Sequence, residues 1–316
     1  MTGQRTNADR QGEGQGRTST ASGAAIATPR RTREIIRQYG FTFRKSLGQH
    51  FLTDTRVLDR IVEAAELDAT QGAIEIGPGI GALTERLAQA AGKVVAVEID
   101  GRLVPILEDM LASYRHVRIV HGDVLKTDLA ALWQTDFAGM AGVSAVANLP
   151  YYATTPILMT LLERKLPLDR IVVMVQKEIA ERMAAPPGGK DYGSLSVAVQ
   201  YYCETSLVCH VPPGAFLPPP NVESAVVKLE VRREPAVRVE DEKLFFRVVQ
   251  AAFAQRRKTL ANNMVQLVGK ERKEEAADLM RGLGIDPGRR GETLSLEEFA
   301  ALTDALDRTG WIRHHA

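Results

Sequence analysis

Ala73-Ile74-Glu75-Ile76-Gly77-Pro78-Gly79-Ile80-Gly81 decides how this 316-residue chain folds. An apolar strand runs straight into a Gly-x-Gly-x-Gly turn, and a helical pattern follows over residues 82–90. Strand, glycine turn and helix N-terminus in that order make a nucleotide-binding crossover, because only glycine lets the backbone come so close to a ligand. The glycines alone leave the ligand open.

Spacing narrows the choice. A second apolar strand, residues 94–97, ends at Glu98, 21 residues after Gly77, where an acid can accept both ribose hydroxyls. A nicotinamide dinucleotide usually takes Gly-x-Gly-x-x-Gly, with its pyrophosphate on the helix N-terminus. Here Glu75 would repel a pyrophosphate but would help to position a cationic, amino-bearing cofactor. S-adenosylmethionine therefore fits better than NAD.

Further strands are expected over residues 117–120, 143–147 and 170–175, with helices between them. The first of these exits into His121-Gly122-Asp123, where Asp123 could accept an adenine amine. His121 has no metal-ligand partner at a suitable spacing and reads as structural, and Asp128 reads as a helix cap. The strand at 143–147 delivers Asn148-Leu149-Pro150-Tyr151 to the carboxyl edge of the sheet, where open α/β folds place their chemistry. In isolation that tetrapeptide reads better as a strand running into a turn. Two last strands, over residues 195–203 and 224–231, are expected as a hairpin. The fold class is then α/β: a Rossmann-like, mostly parallel sheet whose last strand is antiparallel at its end.

Between those strands, residues 211–220 hold five prolines around Phe216, which is either an apolar plug or a stacking wall for a flat substrate. Beyond Pro235 the periodicity is helical, with helices expected over 244–254, 270–283 and 295–307. Three segments follow: a disordered tail, 1–28; an α/β domain for the methyl donor, 29–235; and a small α-helical domain, 236–316. Residues 30–52 mix aromatics and aliphatics with charge and are expected to dock on the sheet domain.

With 45% hydrophobic and 25% charged residues the composition is that of a soluble globular protein, and no apolar run approaches the length of a membrane span. The polar N-terminus is unlike a signal peptide, and Cys203 and Cys209 suit neither a disulfide framework nor a zinc site, so no metal is expected and the location reads as cytoplasmic. Net charge is only +1, yet residues 1–45 carry nine Arg or Lys against three acids. Arg44, Lys45 and the run Arg256-Arg257-Lys258 are candidate phosphate contacts, although such runs are more often a solvated helix face.

Seven segments, in order, resemble one family. They are Lys45-Ser46-Leu47-Gly48-Gln49-His50-Phe51-Leu52, Glu75-Ile76-Gly77-Pro78-Gly79, Asn148-Leu149-Pro150-Tyr151, Gln176-Lys177-Glu178, Tyr192-Gly193-Ser194-Leu195-Ser196-Val197, Phe216-Leu217-Pro218-Pro219-Pro220 and Arg256-Arg257-Lys258-Thr259-Leu260. Together they are similar to the KsgA-type ribosomal RNA adenine N6,N6-dimethyltransferases over roughly residues 30–310.

The resemblance implies S-adenosylmethionine as methyl donor, bordered by His50 and Leu52, with Gly77 and Gly79 beneath the methionine part. Glu98 would hold the ribose, Asp123 the adenine amine, and Asn148 the cofactor side of the catalytic loop. His50 stands where the family commonly has Asn. The implied substrate is 16S rRNA in the small ribosomal subunit or its precursor, at two adjacent adenosines in the 3′-terminal hairpin loop, each dimethylated; a monomer is the default expectation. Asn148 with the carbonyl of Leu149 or Pro150 would hold the amine, while Tyr151 and Phe216 would sandwich the base. An Erm-type enzyme acting on 23S rRNA, a non-catalytic RNA-binding assembly factor and an NAD oxidoreductase remain as alternative readings.

Overall fold

The computed structural model describes residues 25–44 and 47–312. Most of the expected N-terminal tail, and Lys45, lie outside them. Of residues 25–28, assigned from composition to that tail, Ile26 and Ala27 are instead buried, and the Ile26 N–H donates to Glu85 Oε2 at 2.9 Å. Thr28 then caps α1 (Pro29–Gln38), whose buried face includes Ile35. An isoleucine among alanines is too short an apolar run to carry a periodicity in the sequence.

After β1 (Phe51–Leu52), Asp54 caps α2 (Thr55–Ala65), and Val57, Leu58, Ile61 and Ala65 bury one face of that helix. Next come β2 (Gly72–Ile76), α3 (Ala82–Ala90), β3 (Lys93–Glu98), α4 (Val104–Met110), β4 (Val117–His121), α5 (Leu129–Asp136) and β5 (Val143–Asn148). Asp128 caps α5, as its spacing predicted, accepting from the Ala131 N–H at 3.0 Å. The chain continues through α6 (Thr154–Glu163), β6 (Arg170–Gln176), α7 (Lys177–Ala184), α8 (Ser194–Tyr202), β7 (Cys203–Val211), β8 (Phe216–Leu217) and β9 (Ser224–Val231).

The seven-stranded sheet has the order β4-β3-β2-β5-β6-β9-β7. Strands β4, β3, β2, β5 and β6 are mutually parallel, and β9 is antiparallel to both β6 and β7. The antiparallel last strand therefore lies inside the sheet, with β7 at the edge. Its sequence agrees with that place, since Ala225, Val226, Val227 and Leu229 are all buried as a two-sided strand requires.

The strand expected over residues 195–203 is the helix α8. Val197, Val199 and Tyr201 alternate with smaller or polar residues, which imitates a strand; but α8 is packed against α7 and α9, and Ser196 to Val199 are all buried. A short helix without a solvent face has no 3.6-residue polarity to read. Its start is marked only by the Gly193 N–H donating to Ser196 Oγ at 3.0 Å.

Helices α9 (Glu242–Phe253), α10 (Leu260–Val268), α11 (Lys273–Gly282) and α12 (Leu296–Thr309) complete the chain. Their apolar faces join the core on one side of the sheet in a single cluster that runs from Ile74 to Ile312. At the junction, Tyr201 stacks on Phe245 with ring centroids 4.9 Å apart, and Glu242 accepts from the Tyr202 hydroxyl at 2.8 Å and from Lys165 Nζ at 3.1 Å. Among the described residues no helix is long and apolar enough to cross a membrane.

Candidate active site

A cleft opens at the carboxyl ends of β2, β3 and β5. Its walls are Gly48 to Leu52 from the N-terminal strap, Glu75 and Gly77 to Ile80 from the glycine turn, Glu98 and Ile99 from the next strand end, and Asn148 to Tyr152 from the catalytic loop. The parallel register explains the convergence: Ile76 lies beside Val97 and Ala147, so the three loops leave the sheet at one level.

Gly77, Gly79 and Gly81 all have positive φ, of 71°, 60° and 91°. A Cβ on Gly79 would also stand 3.1 Å from the Phe51 ring, so this turn needs glycine for conformation and for space. Glu98 is buried and braces the turn: Oε2 accepts the Gly79 N–H at 3.2 Å and Oε1 the Asp100 N–H at 2.7 Å. Burial pushes the Glu98 carboxyl up, against the opposing pull of those backbone donors.

Glu75 is fully enclosed, and burial pushes its carboxyl up to about 8. The Thr84 hydroxyl lies near enough to oppose that rise, but no hydrogen bond of good geometry joins them, and Glu75 Oε2 has no partner. Buried polar atoms of this kind call for a ligand or a proton. Since this acid binds more protons folded than unfolded between about pH 4.5 and 8, its contribution to stability falls as the pH rises through that window. Melting temperatures of the cofactor-free protein are therefore expected to fall more steeply from about pH 5 to 8 than those of Glu75→Gln. Equal slopes would remove Glu75 as the titrating group.

The strap is fastened to the same strand end. Gln49 donates to Asp100 Oδ2 at 2.9 Å and accepts the Arg44 N–H at 2.8 Å, and Arg102 Nε donates to Asp100 Oδ1 at 2.9 Å. The Arg102 guanidinium holds the Asp100 carboxyl down to about 2. Gln49, Asp100 and Arg102 had no functional reading in the sequence, because Gln49 meets Asp100 across 51 residues and the Asp100–Arg102 pair by itself is an ordinary local contact.

In the catalytic loop Asn148 Nδ2 donates to the His50 carbonyl at 3.1 Å, which turns the amide oxygen the other way. The Pro150 carbonyl already accepts from the Ala153 N–H at 3.0 Å and the Thr154 hydroxyl at 3.2 Å. No described residue donates to the Leu149 carbonyl, so Leu149 supplies the open acceptor. Tyr151 is half-buried and its hydroxyl is 2.8 Å from Ser224 Oγ at the start of β9. Burial pushes its phenol above the ordinary value, which suits a neutral ring that packs rather than a base. Ser224 is a site residue that no local motif singles out. Tyr152, 58% exposed at the cleft mouth, is another.

Two expected site residues are not among those that line the cleft. Phe216 is only 5% exposed, pairs with Leu52 through β8, and packs in the cluster that holds Phe51, so its geometry is that of the apolar plug and not of a cleft wall. Asp123 is not in the cleft wall; its Oδ1 accepts the Leu125 N–H at 3.0 Å and its charge is felt by Tyr152. Arg256, Arg257 and Lys258 are exposed in the turn between α9 and α10 rather than on a helix face. Arg256 is drawn to the Lys190 carbonyl and to Glu292, whereas Arg257 and Lys258 have no ion pair among the described residues.

A Rossmann-like sheet, a glycine cradle braced by a buried acid, a second unpartnered acid and an Asn-Leu-Pro-Tyr loop define an S-adenosylmethionine-dependent methyltransferase. The residues present fit that cofactor: a Cβ on Gly77 would stand in open space, with the Asn148 carbonyl oxygen its nearest neighbour at 3.9 Å, and Glu75 Oε2 lacks a partner. The chain matches the ribosomal RNA adenine dimethylase family over residues 40–307 and belongs to it. It is 59% identical over 283 residues to Ribosomal RNA small subunit methyltransferase A of Geobacillus sp. (strain WCH70), covering 89% of this chain and 97% of the relative. Among solved structures it is similar to a dimethyladenosine transferase from Plasmodium falciparum, with TM-score 0.72, 26% identity and coverage of 83% and 99% of the two chains. It is also similar to the 23S rRNA methyltransferase ErmE, with TM-score 0.60, 27% identity and coverage of 81% and 99%.

Proposed function

We propose that this chain dimethylates the 6-amino groups of two adjacent adenosines in the 3′-terminal hairpin loop of 16S rRNA, on the small ribosomal subunit or its precursor. The observation that carries the chemistry is the pair of open acceptors, Asn148 Oδ1 and the Leu149 carbonyl, beside the glycine cradle. Small-subunit RNA as the target is supported by the high identity to relatives named for that activity.

An adenine amine is a poor nucleophile because its lone pair is delocalised into the ring. Two acceptors that hold its hydrogens draw it towards tetrahedral geometry and aim the lone pair. Bound S-adenosylmethionine supplies an electrophilic methyl group, so no strong base is needed and positioning carries most of the rate. Tyr151 offers its face to the extruded base, a contact worth about 1 to 3 kcal/mol in similar sites. Phe216 supports the strap from behind. After the first transfer one N–H remains, and one acceptor suffices to orient the second.

Arg44, Arg257 and Lys258 are exposed and would meet RNA phosphates, with the helical segment from residue 236 as the larger part of that surface. The substrate points to the cytoplasm, and action as a monomer is part of the proposal. The test is methyl transfer to unmethylated 30S particles beside a 23S fragment. Two adjacent polymerase stops in primer extension on 16S rRNA are expected; label in the 23S fragment alone would transfer the chain to the Erm-type reaction.

A further inference from the structure

The segment Gln176-Lys177-Glu178 takes no part in the cleft wall. It stands where β6 passes into α7, and its contacts are with the start of the neighbouring strand. The Lys177 N–H donates to the Glu223 carbonyl at 3.0 Å and Lys177 Nζ donates to Glu223 Oε2 at 2.9 Å, so the chain is clamped one residue before β9 begins. Ser224 follows, wholly buried, paired with Gln176 of β6 on one side and with Val211 of β7 on the other. Its backbone is thereby fixed from both sides.

From that place Ser224 Oγ lies 2.8 Å from the Tyr151 hydroxyl, and among the described residues the phenol makes no other hydrogen bond. At its other end Tyr151 opens the short turn Tyr151–Ala153, which the Ala153 N–H closes onto the Pro150 carbonyl at 3.0 Å. The ring is held at its backbone and at its oxygen, which fixes the direction of its long axis. A half-buried phenol and a buried hydroxyl would each need a partner for stability alone. This pair sits where direction matters, because the ring it holds adjoins Asn148 and Leu149, whose open acceptors face the substrate amine.

We propose that Ser224 is a positioning residue for RNA methylation: its hydroxyl, set between two strands, aims the Tyr151 ring and so fixes the angle at which the target adenine meets Asn148 and the Leu149 carbonyl. The proposal rests on the adenine dimethyltransferase reading above. Ser224→Ala keeps the ring and frees its tip. Tyr151→Phe keeps the stacking face and loses the same bond from the other side.

The test is a double-mutant cycle in the full chain, read as the single-turnover rate on 30S particles well below the melting temperature. In Ser224→Ala and in Tyr151→Phe that rate is expected to fall about tenfold, with the KM for 30S particles and the Kd for S-adenosylmethionine each within about twofold of the parent. In the double variant the fall is expected to remain about tenfold, since either change alone has already freed the ring. Ser224→Cys fills nearly the same space with a weaker hydrogen-bonding group, so its rate should lie between alanine and the parent, and it replaces alanine in the cycle should that variant fail to fold. A pair that served stability alone would lower the melting temperature and leave the rate unchanged, which would overturn the proposal. So would losses that multiply to about a hundredfold in the double variant. A parent that does not methylate 30S particles would remove the proposed function and this inference together, whereas an active parent with multiplying losses removes this inference alone.

Discussion

Replacing Asn148 by alanine is expected to lower methyl transfer by at least about a thousandfold while changing cofactor affinity by less than about threefold. The side chain has two jobs that its geometry separates. Its Nδ2–H grips the His50 carbonyl, and its oxygen is left for the substrate amine. Alanine removes the acceptor that draws the amine towards tetrahedral geometry, whereas Glu75, Glu98 and the glycine turn stay as they are. Single-turnover labelling of 30S particles with saturating S-adenosylmethionine measures the first effect, and calorimetric titration the second. Near-parental turnover would remove Asn148 from the chemistry.

Replacing Glu98 by alanine is expected to have the complementary signature, a cofactor Kd raised roughly a hundredfold with little change in the rate of the bound complex. The carboxylate holds the Gly79 and Asp100 N–H groups and faces the cleft at the end of β3, where a ribose would lie. Its loss frees the turn and removes the hydroxyl acceptor together. In the parent, saturating S-adenosylmethionine raises the melting temperature by mass action; at the same concentration that rise should nearly vanish in Glu98→Ala. An undiminished rise would mean that the ribose is held elsewhere.

The fold's first half was legible because its signals are local. β2, the glycine turn, α3 and β3 each follow from adjacent residues, and the 21-residue interval from Gly77 to Glu98 ties them together. α8 was misread because a fully packed helix loses the polar face by which helices are recognised. β9 was placed at the sheet end because chain order says nothing about a strand that inserts between two earlier neighbours. In the site, Asn148 and Tyr151 announced themselves through their motif, but the choice of Leu149 over Pro150 as open acceptor depends on bonds made by Ala153 and Thr154. Ser224 and Gln49 could not have been found from spacing, since their partners lie 73 and 51 residues away. Phe216 shows the opposite failure: an aromatic in a stiff loop suggests display, yet β8 turns it inward.

The insertion of β9 between β6 and β7 also sets an order of events during synthesis. The glycine turn, Glu98 and Asn148 are all made once β2, β3 and β5 have left the ribosome, whereas β7 has no neighbour in the sheet until β9 arrives. Ser224, the first residue of β9, then reaches the Tyr151 hydroxyl. The glycine turn and Glu98 are thus made well before the contact that fixes Tyr151, and that contact waits on the last strand to be made.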